Sequence, residues 1–514
     1  MQHSQENQTL LDRRRVVHRH FGLGQIRVWE LRVFLASILV FIGVYVAVEL
    51  NKKHSDPVET GLTLFKPLFE AQAPPRTLFP YTDEQKTFLP PKFMAPGIVG
   101  FRPIPTNNWW GNMIAATQMA GVQPIWANPY SLQPSLTSSS YGLSVSYPYP
   151  TRVFGGGRSG NGDAKKFYRH GHVPDFTFSA VEFSTPPTFE VFDWDDLGVR
   201  AAQKYASLCL MAADTFVTGH DSTELLERCL TKLKKVLAPF LTNSWTYSLK
   251  YDTVYCGILS SQGFVFRDVN ADFGNTMYND HHYHYGYWIV TAAIVNKLDP
   301  TWSGLAQLNR MTRFLVRDVA NPSSNDPYFT KFRNFDWFRG HSYSHGVLSF
   351  ADGKDQESSS EDMNFHYGIA LFGQVTGDKT LETIGQLMVK LNARAIQTYF
   401  LLTDANRAQP SQFRANKVTG ILFDNKVNYA TWFSPEKYAI HGIQMIPISP
   451  ITEYVRTRQF ITEEWDQVLA RIPSVVNDLR NPWLSLLYAN YATPIMGAVY
   501  GSNETNDVRE LQCN

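Results

Sequence analysis

Ala201-Ala202-Gln203-Lys204-Tyr205-Ala206-Ser207-Leu208-Cys209-Leu210-Met211-Ala212-Ala213 marks a change of texture in this chain. The run is rich in Ala and Leu, the best helix formers, and predicts a helix. Helical patterns continue from it: Ser222 to Leu237 with Lys and Arg on one side, then Tyr285 to Leu298, Leu305 to Val316, Glu361 to Val375 and Leu381 to Tyr399. Upstream, from about Arg102 to Val199, the signals are β-like. Asp175-Phe176-Thr177-Phe178-Ser179-Ala180 alternates as a strand does, and Thr188-Phe189-Glu190-Val191 continues the style. Turn-rich runs such as Ser138-Ser139-Ser140 and Gly155-Gly156-Gly157 punctuate the region. The expected fold is mostly α, a helical domain preceded by a smaller β domain.

At 514 residues the chain has room for two or three domains. Hydrophobic residues at 44% and aromatics at 14% argue for a large folded core, not disorder. A formal net charge of +1 argues against a nucleic-acid binder, whose domains carry a basic excess. A neutral polysaccharide needs no charged surface. The four cysteines, Cys209, Cys229, Cys256 and Cys513, show no CxxC spacing, which speaks against a zinc or redox site. Free buried thiols are the expectation, with a Cys209–Cys229 bridge between two helices as the alternative.

The N-terminal part divides by composition. Residues 1–30 form a basic tail with Arg13, Arg14, Arg15, Arg19 and Arg27. Residues 31–50 hold the continuously apolar run Val33 to Val48, just under the length that spans a bilayer. Leu31 and Leu50 extend it if Arg32 and Glu49 snorkel. Positive charge before the run leaves the tail in the cytoplasm and exports the rest, which predicts a single-pass signal-anchor at the cell membrane. A cleaved signal peptide, giving a secreted protein, is the competing reading, and a buried core helix is the third. Residues 51–100, with Pro67, Pro74, Pro75, Pro80, Pro90, Pro91 and Pro96, read as a semi-extended linker. Residues 101–199 form the β domain, 200–495 the helical domain and 496–514 a C-terminal tail.

Two segments about eighty residues apart carry the chemistry. One is Tyr278-Asn279-Asp280-His281-His282-Tyr283-His284-Tyr285-Gly286-Tyr287-Trp288; the other is Asp352-Gly353-Lys354-Asp355-Gln356-Glu357-Ser358-Ser359-Ser360-Glu361-Asp362-Met363-Asn364. Each sets acids among aromatic or hydrogen-bonding side chains. Cleaving a glycosidic bond takes two carboxyl groups that flank it, and aromatic faces hold sugar rings. Asp280 before a helical run also fits a plain N-cap. Glu357 and Glu361, if their stretch is helical, share one face a turn apart. His281, His282 and His284 admit a metal-ligand reading, though the aromatics around them suit sugar better.

These segments, with Phe335-Asp336-Trp337-Phe338-Arg339-Gly340-His341-Ser342 between them, resemble glycoside hydrolase family 81, a family of endo-β-1,3-glucanases. Ser434-Pro435-Glu436, Ile440-His441-Gly442-Ile443-Gln444-Met445 and Leu487-Tyr488-Ala489-Asn490-Tyr491 look like its later signature. Pro103-Ile104-Pro105-Thr106-Asn107-Asn108-Trp109-Trp110-Gly111-Asn112 resembles the start of its N-terminal β domain. The resemblance covers roughly Arg102 to Tyr491. It implies an (α/α)6 toroid preceded by a partial β-sandwich-like domain, because the family's β region is longer than residues 101–199 can hold.

The resemblance further implies an inverting hydrolase of laminarin- or callose-type β-1,3-glucan that needs no metal and no cofactor. Asp280 would be the acid, Glu357 the base that activates water, and Glu361 the residue that positions them, with the two glutamates exchangeable. Substrate contacts are expected from Tyr278, His281, His284, Tyr287, Asp336, Trp337, Arg339, His341, Asp352, Lys354, Asn364 and His441. Tyr438 either stacks on sugar or packs in the core. The expected partners are the glucan and, through the anchor, the membrane; nucleic acid is excluded and a monomer is expected.

Overall fold

The computed structural model describes residues 69–88, 91–94, 103–109, 111, 115–117, 125–127, 130–136, 141–146, 196–218, 223–347, 350 and 352–500. All of them belong to one compact unit, Phe65–Asn514. The basic tail and the apolar run of residues 31–50 lie outside the described residues, as do the strands expected at 175–180 and 188–191. Among the described residues no helix is long and apolar enough to cross a membrane.

The fold is mostly helical. Short strands come first: β1 (Tyr81–Thr82), β2 (Pro91–Met94), β3 (Ala115–Thr117), β4 (Ile125–Ala127), β5 (Tyr130–Leu136) and β6 (Tyr141–Ser146). β2 and β3 pair antiparallel, and β4, β5 and β6 form a three-stranded antiparallel sheet. Two long helices follow, α1 (Asp196–Ala213) and α2 (Thr223–Thr242), then the hairpin β7 (Leu249–Asp252) and β8 (Gly257–Ser260). Next come α3 (His281–Leu298), α4 (Leu305–Ala320) and the hairpin β9 (Phe335–Asp336) and β10 (His341–Ser342). After β11 (Asp355–Gln356) lie α5 (Ser359–Thr376) and α6 (Lys379–Tyr399). Between residues 400 and 483 the helices are short, and β12 (Ile421–Phe423) pairs antiparallel with β11 on one side and β13 (Val427–Asn428) on the other. α7 (Lys437–Gly442), α8 (Arg458–Gln467) and α9 (Leu484–Tyr500) close the described chain.

All six expected helices form, most of them longer than the periodicity suggests. α3 starts at His281, not Tyr285, because His281 to Val295 is buried on every side and carries no amphipathic stripe to read. α3 and α5 lie at the centre: α3 packs on α1, α4 and α5, and α5 packs on α6. The α3–α5 crossing is tight. A Cβ at Gly286 would stand 3.0 Å from Phe365 Cα, and one at Gly368 would stand 3.0 Å from Val290 Cγ2. A side chain at either position would require its neighbour to give by a few tenths of an ångström.

Two expectations are corrected. The proline-studded stretch is not a free stalk over residues 69–88. Its prolines exclude long elements, but Leu78 and Phe79 between them are buried and Phe79 meets Phe314 edge to face. Each such burial is worth roughly 1.5–3 kcal/mol. β1 pairs in parallel with β7, and Asn243 Nδ2 donates to Leu78 O at 2.6 Å and to Leu249 O at 2.8 Å. The second correction concerns Cys209 and Cys229, which form a disulfide between α1 and α2, while Cys256 is a buried thiol outside that bridge. Closing a loop of 20 residues stabilises by roughly 3 kcal/mol.

Candidate active site

Two main-chain approaches, one into α3 and one into α5, carry the acidic segments. The approach to α3 is strained: Asp272, Phe273, Tyr278 and Asp280 have φ of 51°, 54°, 68° and 59°, with Gly274 at 83°. A left-handed residue other than Gly costs roughly 1–2 kcal/mol, and such strain gathers at functional sites. Asp280 holds the N-cap position of α3, yet its side chain makes no cap hydrogen bond there. Its main-chain N–H donates to Ser344 O at 3.0 Å, which fixes the turn against the chain beyond β10. The half-buried carboxyl is thus not given to the helix.

The Tyr283 hydroxyl joins the two approaches. It lies 2.8 Å from Ser344 Oγ, donates to Gln356 Oε1 at 2.8 Å and accepts the Ser358 N–H at 3.1 Å. Burial raises this phenol well above its usual range, and the charges of Asp280, Asp362 and Glu357 add to the rise. The Asp280 and Glu357 segments, distant in sequence, therefore meet at Ser344, whose carbonyl accepts the Asp280 N–H at 3.0 Å and whose hydroxyl lies 3.4 Å from Glu357 N.

Glu357 lies before α5, not in it. Ser358 at the N-cap is extended (φ −85°, ψ 91°), so Glu357 and Glu361 do not share a helical face. One Glu357 oxygen accepts the Trp432 N–H at 2.8 Å, and its carbonyl accepts Gln444 Nε2 at 2.7 Å. Burial, aided by Asp355 and Glu361, pushes its carboxyl up to about 8 against the Trp432 amide and the Thr431 hydroxyl. Glu361, in the first turn of α5, is buried differently. Its Oε1 accepts the Tyr287 hydroxyl at 2.7 Å and is ion-paired to Arg200 Nη2 at 2.8 Å. Asp362 beside it accepts Asn392 Nδ2 at 2.7 Å and the Ser342 N–H at 3.0 Å. Although burial pushes the other way, His366 holds Asp362 well below the usual carboxylate range. The serines between the glutamates tie α5 to the later signature: Ser358 Oγ donates to Ile443 O at 3.0 Å and Ser359 Oγ to Gln444 Oε1 at 2.6 Å.

Many expected substrate contacts are interior residues with their polar atoms already engaged. Tyr278 is fully enclosed and donates to Asp252 Oδ2 at 2.8 Å. His281 lies between Asp318 Oδ2 (2.7 Å) and Asn275 O (3.0 Å). His441 lies between Glu464 Oε1 (2.7 Å) and the Tyr429 hydroxyl (2.9 Å). Asn364 exchanges two amide hydrogen bonds with Gln203, and Tyr287 serves Glu361. Lys354, buried to 1% exposure, donates to the carbonyls of Thr106 (3.1 Å) and Gly346, and burial pushes its ammonium down to about 7. Asp336 accepts the N–H groups of Phe338 (2.8 Å) and Arg339 (3.2 Å) and so shapes its own hairpin. In these seven the polar atoms are engaged by internal partners, as buried hydroxyls, amides and imidazoles are.

The remaining expected residues are less enclosed or less committed. Arg339 reaches Asp424 at 3.5 Å, Asp352 pairs with Lys426 at 2.6 Å, and Trp337 packs edge-on against Phe332 and Phe335. His341 and His284 are buried, and among the described residues His341 Nε2 and His284 Nδ1 lack a hydrogen-bond partner. Tyr438 packs with the cluster around Met445 and Trp465.

An aromatic flank beside Glu357 has no counterpart in the sequence reading. Trp432, whose amide holds Glu357, stacks on partly exposed Phe350 with centroids 4.9 Å apart and 22° between planes. His345, held by Asp355 at 2.6 Å, stands edge-on to both rings. Arg200 on Glu361 was equally unforeseen.

Comparison with known proteins adds the lineage. The profile described as glycosyl hydrolase family 81 C-terminal domain matches residues 197–507, and that described as glycosyl hydrolase family 81 N-terminal domain matches residues 95–220. The chain belongs to glycoside hydrolase family 81. Among curated relatives, the primary septum glucan endo-1,3-beta-D-glucosidase of Schizosaccharomyces pombe is 43% identical over 293 residues, 57% of this chain and 28% of that protein. Glucan endo-1,3-beta-D-glucosidase 2 of Saccharomyces cerevisiae is 41% identical over 318 residues, 61% of this chain and 39% of that protein. A solved family 81 structure from Clostridium thermocellum aligns with a TM-score of 0.46 at 22% identity, over 61% of this chain and 46% of that one. The chain thus spans well under half the length of the curated relatives it matches.

Proposed function

We propose that this chain is an endo-β-1,3-glucanase that cuts internal bonds of laminarin- or callose-type glucans with inversion. Asp280 protonates the leaving oxygen, Glu357 takes a proton from the attacking water, and Glu361, tied to Arg200 and Tyr287, orients that water or Glu357. The observation that carries the reading is the meeting of the two acidic segments at Ser344, whose carbonyl accepts the Asp280 N–H at 3.0 Å and whose hydroxyl lies 3.4 Å from Glu357 N and 2.8 Å from the Tyr283 hydroxyl. Family membership and the names of the relatives support the substrate class, and the Phe350–Trp432 surface beside Glu357 offers an apolar face to a sugar ring. The packing of α3 against α1 and α5 supports the (α/α)6 toroid that the resemblance implies. The test is release of reducing ends from laminarin: the wild type hydrolyses it, whereas purified, folded Asp280→Asn and Glu357→Gln do not. An inert wild type would turn the reading toward a non-catalytic glucan-binding relative.

The same reading includes external display on a membrane anchor at residues 31–50 and a shortened β domain. The Arg-rich tail supports the topology, and the Cys209–Cys229 disulfide supports an oxidising compartment. Glycan at Asn503-Glu504-Thr505 and none at Asn7-Gln8-Thr9 is the expected pattern; glycan at Asn7 reverses the topology.

A further inference from the structure

The Pro103–Gly111 motif supplies none of the acids above, yet it is built into their support. Asn107 is completely buried, and its Nδ2 lies within reach of three main-chain carbonyls: Tyr278 at 2.9 Å, Ser344 at 3.2 Å and Tyr343 at 3.3 Å. Its Oδ1 accepts the Thr106 hydroxyl at 2.8 Å, which orients the amide with its N–H groups toward those carbonyls. Each carbonyl has a place in the site. Tyr278 is two residues before Asp280, in the same left-handed turn. Ser344 O also accepts the Asp280 N–H, and Ser344 Oγ meets the Tyr283 hydroxyl and lies 3.4 Å from Glu357 N. A single side chain from the N-terminal domain thus grips both the turn that carries Asp280 and the segment beyond β10 that leads, through Ser344, to Glu357.

We infer that Asn107 is a positioning residue for the Asp280–Glu357 pair, setting the separation and orientation of the two carboxyls from outside the helical domain. This rests on the reading of those residues as acid and base. Neighbouring Asn108 is the internal comparison. It is equally buried, but its Nδ2 donates to Phe332 O at 2.7 Å and Arg333 O at 2.9 Å, main chain that carries neither acid. A displacement near 1 Å in a catalytic group costs about 10²-fold in rate, and three carbonyls that lose their shared donor also repel one another.

The experiment compares Asn107→Ala, Asn107→Ser and Asn108→Ala in the full chain, reading kcat, KM and the pH dependence of kcat/KM on laminarin, with melting curves beside them. Asn107→Ala should lower kcat about 10²-fold with KM within about twofold. Its acid limb should move to lower pH as water gains access to Glu357, whose facing charged groups are Asp355 and Glu361. Asn107→Ser keeps one donor and should fall between wild type and Asn107→Ala; it carries the test if Asn107→Ala does not fold. Asn108→Ala should lower the melting temperature while leaving the pH profile in place. A wild-type kcat and pH profile in a folded Asn107 variant overturns the inference, as does the same profile shift in Asn108→Ala. If Glu357→Gln is inactive while Asn107→Ala equals wild type, positioning alone fails; if Glu357→Gln is as active as wild type, the underlying reading fails.

Discussion

Glu357 and Glu361 stand four residues apart on either side of the start of α5, and the two places treat a carboxyl in opposite ways. Glu361 and its neighbour Asp362 are the more deeply buried, and both have partners suited to charge: Arg200 and Tyr287 for the first, His366, Asn392 and the Ser342 amide for the second. Glu357 keeps some exposure, has one strong amide donor and faces two other acids, and its carboxyl is pushed up to about 8. Partners and not depth alone set Asp362 and Glu357 apart: His366 holds Asp362 low against its burial, whereas burial among acids pushes Glu357 up. The first turn of α5 is a fixed, charged platform, and the approach to it carries an acid whose protonation can change during a reaction.

The largest expected effect breaks the two places apart by activity. Glu357→Gln should lose ~10²–10⁴-fold or more in laminarin hydrolysis, as removal of a general base does. Glu361→Gln should lose less, since it perturbs a positioning group and leaves the proton acceptor in place. Rates for the two purified variants, normalised to folded protein, decide it; a greater loss in Glu361→Gln would exchange the roles.

The pH profile comes next in size. A base must be ionised, so kcat/KM of the wild type should rise with pH through about 8, where the Glu357 carboxyl titrates in the free protein. A fall through that same pH would make Glu357 the proton donor. Stability supplies the smallest and most specific effect. Glu357 binds its proton more tightly folded than unfolded, between the ordinary value of 4.5 and about 8. In that window the folded state holds the extra proton, so its contribution to stability is present at low pH and lost as pH rises. Glu357→Gln has no such loss. It should melt near the wild-type temperature around pH 4.5 and above it around pH 8, as enzymes that give up a strained acid tend to do. Equal melting curves at both pH values would place Glu357 in an environment no different from water.

The helical half of the molecule is legible because α1, α2, α4 and α6 carry Ala, Leu and amphipathic spacing that a local window detects. The two acidic segments stand out in the sequence because they are long and unusual, and the structure brings them together at Ser344. The surroundings of the acids are not legible, and the reason is distance along the chain. Trp432 reaches Glu357 across 75 residues, Arg200 reaches Glu361 across 161, and Asn107 reaches Ser344 across 237. No periodicity encodes such contacts. The His/Tyr run of α3 misleads for a related reason. Its polar groups look like a sugar platform in one dimension, but a helix covered by α1, α4 and α5 directs them inward, where Tyr285 donates to Ile258 O and Trp288 to Thr312 Oγ1. The proline-rich segment misleads in the opposite direction, because composition weighs its prolines and not the apolar side chains it buries, Phe69, Leu78 and Phe79.

The division of labour between a fixed α5 platform and a titrating Glu357 is tested most directly by the first sugar released. A water activated by Glu357 attacks once from the face opposite Asp280, which calls for a carboxyl gap of ~6.5–9.5 Å and inverts the anomeric carbon. Proton NMR during the first moments of laminari-oligosaccharide hydrolysis should show the α-anomer growing first and the β-anomer following by mutarotation. Initial β-anomer, or a covalent glycosyl adduct on Glu357 by mass spectrometry, would make Glu357 a nucleophile and contradict the assignment.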